Sequence, residues 1–554
     1  MAVGLALTGT PASPATVTAA AVTPAATTVA AVTPAAATAT AAAAAAAAAP
    51  TPATAAPGAA VPVTAVPAAG ADSVVLTSHG AVRGTVGSRV RSFQGIPYAE
   101  AERWAAPRPA AAWTGVREAT APGKPCAQPE RPPIGVASQA EDCLVLNVTT
   151  PASRSGELPV IVWIHGGSLM YGTGDMYGPD RLAAAGAVVV SMNYRLGVMS
   201  FLTHPSLPES GSLAVQDQQA ALRWVRANIA AFGGDARNVT IMGESGGGFA
   251  VCGHLASPKS AGLFDRAIIQ SAPCATGGSR TRAEAEADSA RTIEKAGCAD
   301  AVDVAACLRK VPMSTLLTAY AGKEPSPISG STLLPLPPGE ALRTGRFNRV
   351  PILIGVNHDE ENGMVIGQEL FTGKPLSAAE YAPAVRRQFG SDADAVLRRY
   401  PLDRGPAGLS PGQALARVKT DAVWSVPTLN TARALSRWTP TRMYEFAERD
   451  TPWFAGYPVP SFPAHAQHMA ELPYLFDLAM FGTPSRKQAA LGDRMIAAWV
   501  RFAATGDPNG AGETAWPRLR DTGHAGWHVH SLTSEAWKRA RFTADHDYRF
   551  WNAL

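Results

Sequence analysis

Charge is missing from the first seventy residues. No Asp, Glu, Lys or Arg precedes Asp72, and the stretch is almost wholly Ala, Thr, Pro and Val, with an unbroken alanine run from Ala41 to Ala49. Without large apolar side chains at core-forming spacing, such a segment cannot offset the entropy of folding. Residues 1–71 therefore read as a disordered, low-complexity leader, and residues 72–554 as one folded domain. The opening MAVGLALTG lacks the basic segment of a secretion signal and is short for one, so it reads either as a degenerate signal or as the product of a displaced start.

Other absences narrow the function. No run of about twenty strongly apolar residues exists, which argues against a spanning helix. Lys plus Arg, 48, exceeds Asp plus Glu, 44, by only four, and no long basic block occurs. Nucleic acid is thereby excluded as the main partner. None of the six cysteines forms a C-x-x-C pair, against zinc or thioredoxin-like chemistry. Cys126 and Cys143 bracket a Pro-rich loop, and Cys298 and Cys307 bracket a short one. Loop-closing disulfides of an oxidising compartment are the favoured reading, with buried free thiols as the alternative.

What is present alternates. VVLTSHGAVRGTV near the start has the period of antiparallel strands. Short apolar runs follow at Val160–Ile164, Ala187–Met192, Val239–Met242, Ala267–Ile269 and Ile352–Ile354. Between them lie helical patterns, clearest over Ala214–Ala231, where Leu222, Val225 and Ile229 share a face. Strands alternating with helices imply a mostly parallel sheet covered on both faces. After about residue 275 helical segments predominate, the last strong one near Asp493–Ala503. The expected class is α/β, a single large domain with helical insertions.

G-x-S-x-G, the signature of a serine held on a strand-to-helix turn, occurs twice. Gly243-Glu244-Ser245-Gly246-Gly247 follows a buried-type strand and precedes a helix, so the turn can lift the Ser245 hydroxyl above the sheet edge. The amide of Gly246 can then donate to an oxyanion. In Gly408-Leu409-Ser410-Pro411-Gly412 the residue after the serine is proline, which has no amide hydrogen. Ser410 reads instead as a helix N-cap with proline in the first helical position. A phosphate loop at 243–248 is excluded by the missing Lys-Ser/Thr and the wrong glycine spacing. His165-Gly166-Gly167 ends the strand VIVWI, where glycine amides can supply further oxyanion donors.

Ordered along the chain are FQGIPYAE (93–100), EDCLVLNV (141–148), VIVWIHGGS (160–168), NYRLGVMSFL (193–202), DQQAALRWVRANIAAFGGD (217–235), GESGGG, GVNHDE (355–360), HMAELPYLF (468–476) and FAATGDPN (502–509). In this series the chain resembles the type-B carboxylesterase and cholinesterase family, in its bacterial para-nitrobenzyl-esterase-like form. The resemblance covers essentially everything after Asp72 and implies an α/β-hydrolase fold and a serine carboxylic-ester hydrolase. It further implies Glu360 as the acid, with Glu361 beside it where the family has glycine, and His468 as the base, with His465 as competitor. It pairs Cys126 with Cys143 and Cys298 with Cys307, leaves Cys252 and Cys274 unassigned, and gives Ser271 a supporting place beside the acid.

Two departures stand out. Gly246 replaces the alanine usual after the serine, which is expected to loosen the turn. Leu169 replaces an aromatic, which is expected to widen the pocket. The loop between Cys126 and Cys143 contains no tryptophan, so choline esters are a poor substrate class. Glu244, beside the serine, is expected either to tune the histidine or to serve a structural hydrogen bond. Glu141, Asp142 and Arg195 read as structural ion pairs, and His524, His528 and His530 as solvated surface rather than metal ligands. The implied partner is a small-molecule ester, with no cofactor, no metal, and a monomer or weak homodimer in an extracytoplasmic, secreted setting. Two further classes use the same fold: a non-catalytic binding module, and an amidase or carbamate hydrolase with the same triad.

Overall fold

Each of the five apolar runs becomes a strand because both of its faces are covered. Along Val160–Ile164, alternate side chains enter opposite cores: Val160, Val162 and Ile164 pack on one face of the sheet, Ile161 and Trp163 on the other. That arrangement explains a continuous apolar run where a half-exposed strand would alternate. The computed structural model describes residues 73–153, 156–276, 279–402, 409–523 and 526–554, all within one compact unit. The leader expected over 1–71, and His524, lie outside the described residues.

Eleven strands form the main sheet. In chain order they are β1 (Thr85–Val86), β2 (Val90–Pro97), β3 (Val145–Pro151), β4 (Leu158–Ile164), β5 (Val188–Met192), β6 (Gly234–Glu244), β7 (Arg266–Gln270), β8 (Ile352–Asn357), β9 (Thr441–Phe446), β10 (Val529–Leu532) and β11 (Lys538–Arg539). Their spatial order is β11-β10-β9-β8-β7-β6-β4-β5-β3-β2-β1. The block from β5 through β10 is parallel, and antiparallel pairs finish both edges. The alternating segment at the start forms the antiparallel hairpin Val74–Thr77 with Gly80–Arg83.

β4 lies between β5 and β6, so the chain leaves it to one side and returns on the other. Such a reversal opens a crevice at the carboxyl ends of the strands, the usual place for ligands in open α/β sheets. The helix expected at 214–231 spans Leu213–Asn228 and continues as a 3₁₀ turn to Phe232. The last long helix, Arg486–Thr505, is fixed at its start by a capping box between Ser485 and Gln488, and at its end by Gly506 at φ +77°. Ser410 does cap a helix, accepting from the Gln413 amide, with Pro411 in the first turn.

Three disulfides cross-link the described chain: Cys126–Cys143, Cys298–Cys307 and Cys252–Cys274. The third joins the two cysteines that the resemblance left unassigned. It ties the helix Gly246–Ala256 to the segment just past β7, two elements that become neighbours only once β6 and β7 pair. Glu141 bonds Arg103, Asp142 bonds Lys124, and Arg195 forms a buried two-pronged pair with Asp217, so all three are structural. No helix of the described residues is long and apolar enough to cross a membrane.

Candidate active site

Ser245 sits at the junction of β6 and the helix Gly246–Ala256, with φ +52° and ψ −121°. Such a backbone costs a non-glycine residue about 1–3 kcal/mol and persists only where its surroundings enforce it. Here the Ser245 amide donates to the Gln270 carbonyl on β7 at 3.0 Å. The adjoining glycines let the turn close. A Cβ on Gly243 would lie 2.5 Å from the Gly247 carbonyl carbon, and one on Gly247 only 2.0 Å from the Ile164 oxygen.

Gly246 has a reason of its own. A Cβ there would stand 2.8 Å from the Ser168 amide nitrogen and 2.9 Å from that of Leu169. The His-Gly-Gly loop leaves β4 and turns back at Gly167, φ +97°, whose carbonyl accepts from Met170 and Tyr171 at 2.9 and 3.0 Å. Ser168 and Leu169 follow at φ +57° and +58°. Glycine at 246 thus matches a loop packed directly onto the turn. Leu169 is buried in the larger core. The Gly166 amide faces the Tyr177 hydroxyl, while its carbonyl meets His165 Nδ1 at 2.9 Å. Burial pushes the His165 imidazole down to about 4, so it is neutral, and it stacks on Tyr194.

The turn after β8 carries Glu360, fully buried, with both oxygens engaged. Oε1 accepts from Ser271 Oγ at 2.6 Å and from the Asn357 amide at 2.8 Å, and Oε2 lies 2.6 Å from His468 Nδ1. The His468 amide donates to the Glu360 carbonyl at 3.0 Å, so backbone and side chain together fix the pair. Glu361 turns away, accepting from Trp424 Nε1 at 2.9 Å and pairing with Lys419. The competing histidine, His465, bonds the Arg449 carbonyl through Nδ1.

Two more carboxyls close on His468. Glu244 Oε1 lies 3.2 Å from its Nε2 without hydrogen-bond alignment. Glu471 is held by Gln270 Nε2 at 2.9 Å and Asn357 Nδ2 at 2.6 Å. Desolvation would lower the His468 pKa, but the charges of Glu244 and Glu360, the Glu360 hydrogen bond and Glu471 outweigh it, so the imidazole is raised. Burial pushes Glu244 up to about 8, opposed by the His468 charge.

With His468 read as a base, which must be neutral to accept a proton, activity is expected to fall as pH drops through its raised titration. Glu244→Gln removes the largest raising charge. Its acidic limb of kcat/KM is expected to move down by about one pH unit. A pH–rate profile with the limb unmoved, or moved up, contradicts this electrostatic account.

Among the described residues, His358, Glu445 and His546 are the group whose donors are close enough to share a metal ion. Their separations are those of hydrogen bonds: Glu445 Oε1 is 2.9 Å from His358 Nδ1 and 2.7 Å from His546 Nε2, while Asp421 Oδ1 is 2.6 Å from His546 Nδ1. Hydrogen bonds between these imidazoles and carboxylates satisfy the network without an ion. His528 and His530 lie elsewhere and pair with each other at 3.2 Å; His530 is fully buried and stacked on Trp516, not the solvated surface expected.

Ser245, Glu360 and His468 thus come from the carboxyl ends of β6 and β8 and the loop after β9, beside the His-Gly-Gly loop of β4. Sequence reasoning missed Trp424, whose ring packs on His468 with centroids 4.7 Å apart, and gave Glu471 no role although it lies in the same motif as His468. A sequence profile of the carboxylesterase family matches residues 71–551. The chain is 34% identical over 485 residues to the para-nitrobenzyl esterase of Bacillus subtilis, covering 81% of this chain and 93% of that protein. It is 33% identical over 488 residues to the fumonisin B1 esterase of Sphingopyxis macrogoltabida, covering 81% and 84%. Among solved structures, a carboxylesterase of Geobacillus stearothermophilus superposes with a TM-score of 0.72 at 33% identity, over 86% of this chain and 99% of that one.

Proposed function

The chain belongs to the carboxylesterase family, with the α/β-hydrolase fold and the ester hydrolysis this entails, and from that premise we propose that it acts through an acyl-enzyme on Ser245. In this reading His468 Nε2 takes the Ser245 proton as Oγ attacks the ester carbonyl carbon. The carbonyl electron pair moves onto oxygen, where the amides of Gly167 and Gly246 stabilise the charge, the Gly166 amide expected beside them being turned to the Tyr177 hydroxyl. Collapse of the tetrahedral intermediate breaks the bond to the alcohol oxygen, and His468 returns the proton to the leaving alcohol. Water then repeats the sequence on the acyl-enzyme and releases the acid. Glu360 keeps the proton on Nδ1, leaving Nε2 free to accept, and stabilises the cation formed in each half-reaction. Residues 72–554 make up the catalytic domain, and three disulfides accord with an extracytoplasmic, secreted protein.

The observation that carries this reading is the Ser271–Glu360–His468 chain of hydrogen bonds, with His468 Nε2 lying 3.2 Å from Glu244, the residue that precedes Ser245 in its strained turn. An acyl-enzyme makes a direct prediction. Esters that share an acyl group but differ in alcohol pass through one intermediate. Added methanol is then expected to divide the products between acid and methyl ester in the same ratio for each. A ratio that changes with the leaving alcohol contradicts the shared intermediate. The matched anilide is expected to react far more slowly, since an amine is a poorer leaving group. Comparable ester and anilide rates favour the amidase alternative.

A further inference from the structure

Glu361 and Trp424 have no part in the proton transfers just described, yet both are buried against them. Trp424 lies in a π-helical turn, Thr420–Ser425, which continues the helix Pro411–Lys419. Wider turns of this kind are rare and concentrate at functional sites, because one extra residue redirects several side chains at once. Here Thr420, Asp421 and Trp424 all point inward. Thr420 Oγ1 accepts from the Glu361 amide at 3.0 Å, Asp421 meets His546, and the Trp424 ring lies on the His468 imidazole with an interplanar angle of 44°. Glu361 fixes that ring. Its Oε1 accepts from Trp424 Nε1, and its Oε2 is neutralised by Lys419.

We propose that Trp424, anchored by Glu361, is a positioning residue for His468. Glu360 holds the imidazole by one edge, and a single edge contact leaves the ring free to tilt. A second contact on the ring face removes that freedom and holds Nε2 in place for the proton transfers proposed above. The same aromatic face attracts the imidazolium that forms during each proton transfer. The charged groups facing His468 are Glu360, Glu244 and Glu471; the tryptophan adds no charge, and the charge of Glu361 is paired with Lys419. The proposal rests on the reading of His468 as the general base.

The test is a set of purified variants whose rates are normalised to active sites titrated with a fluorescent organophosphonate. Trp424→Leu is expected to lower kcat about tenfold with KM within about twofold, and to move the acidic limb of the pH profile down by about half a unit to one unit. Trp424→Phe keeps a ring on His468 and is expected to retain most of the rate and the limb. Glu361→Leu leaves the indole N–H without its acceptor and is expected to fall toward Trp424→Leu. Glu361→Gln still offers an oxygen to Nε1 and is expected to restore the rate.

An unchanged kcat per active site in Trp424→Leu, or a lowered one with the limb unmoved, overturns the proposal. Should Trp424→Leu fail to fold, the comparison of Glu361→Leu with Glu361→Gln decides: equal rates overturn it. The underlying reading fails separately. His468→Ala with substantial turnover removes the general base and hence the premise, whereas an inactive His468→Ala beside an unaffected Trp424→Leu removes only the role of Trp424.

Discussion

Ser245→Ala is expected to lower kcat for p-nitrophenyl esters by roughly 10⁵–10⁶-fold, leaving a residue of activity that oxyanion donors and binding alone can supply. The size follows from the chemistry, since Ser245 is the serine at the strand-to-helix turn on which the His-Gly-Gly loop packs. The variant is also expected to keep its thermal midpoint. The strain at 245 resides in the backbone, φ +52° and ψ −121°, which serine and alanine bear alike. Circular dichroism and a melting curve separate loss of the nucleophile from loss of the fold. A folded variant with turnover near that of the parent would falsify the nucleophile assignment.

Glu360→Gln comes next in size, with an expected fall in kcat of about 10³–10⁴-fold. The carboxamide oxygen can still accept from Ser271 and from the Asn357 amide, which bond Oε1 today. Its nitrogen then takes the place of Oε2, 2.6 Å from His468 Nδ1, and donates where a carboxylate accepts. The imidazole is driven to the tautomer with its proton on Nε2, which cannot take the serine proton. It also loses the charge that stabilises its cation. The neighbouring carboxylate provides the control. Glu361 contacts Trp424 and Lys419 rather than Nδ1, so Glu361→Gln is expected to lose far less. A larger loss in Glu361→Gln than in Glu360→Gln reverses the assignment of the acid.

Much of this was legible in the sequence because the relevant signals are local. Strands buried on both faces read as apolar runs, and a strand followed by Gly-x-Ser-x-Gly and a helix reads as an exposed serine. The decoy at Ser410 fell to one proline, and the structure has it capping a helix. β9, TRMYEF, escaped because its polar residues break the apolar run, although all six positions are buried. Arg442 is neutralised by Asp507, and Glu445 by His358 and His546, partners that only the folded chain brings near. The Cys252–Cys274 bond and the Trp424–His468 contact escaped for the same reason: neither has a spacing or period, only a meeting in space. The surroundings of glycine at 246 were not legible, because they depend on a loop some eighty residues earlier in the chain, against which a Cβ at 246 would crowd.

The central claim is that one serine carries the acyl group. Its most direct measurement is covalent labelling of the intact protein with an organophosphate, followed by peptide mass mapping. The account predicts a single adduct on Ser245, formed in step with loss of esterase activity and absent from His468→Ala. Inactivation with the adduct on Ser410 or any other residue, or complete labelling of Ser245 with activity undiminished, would contradict it.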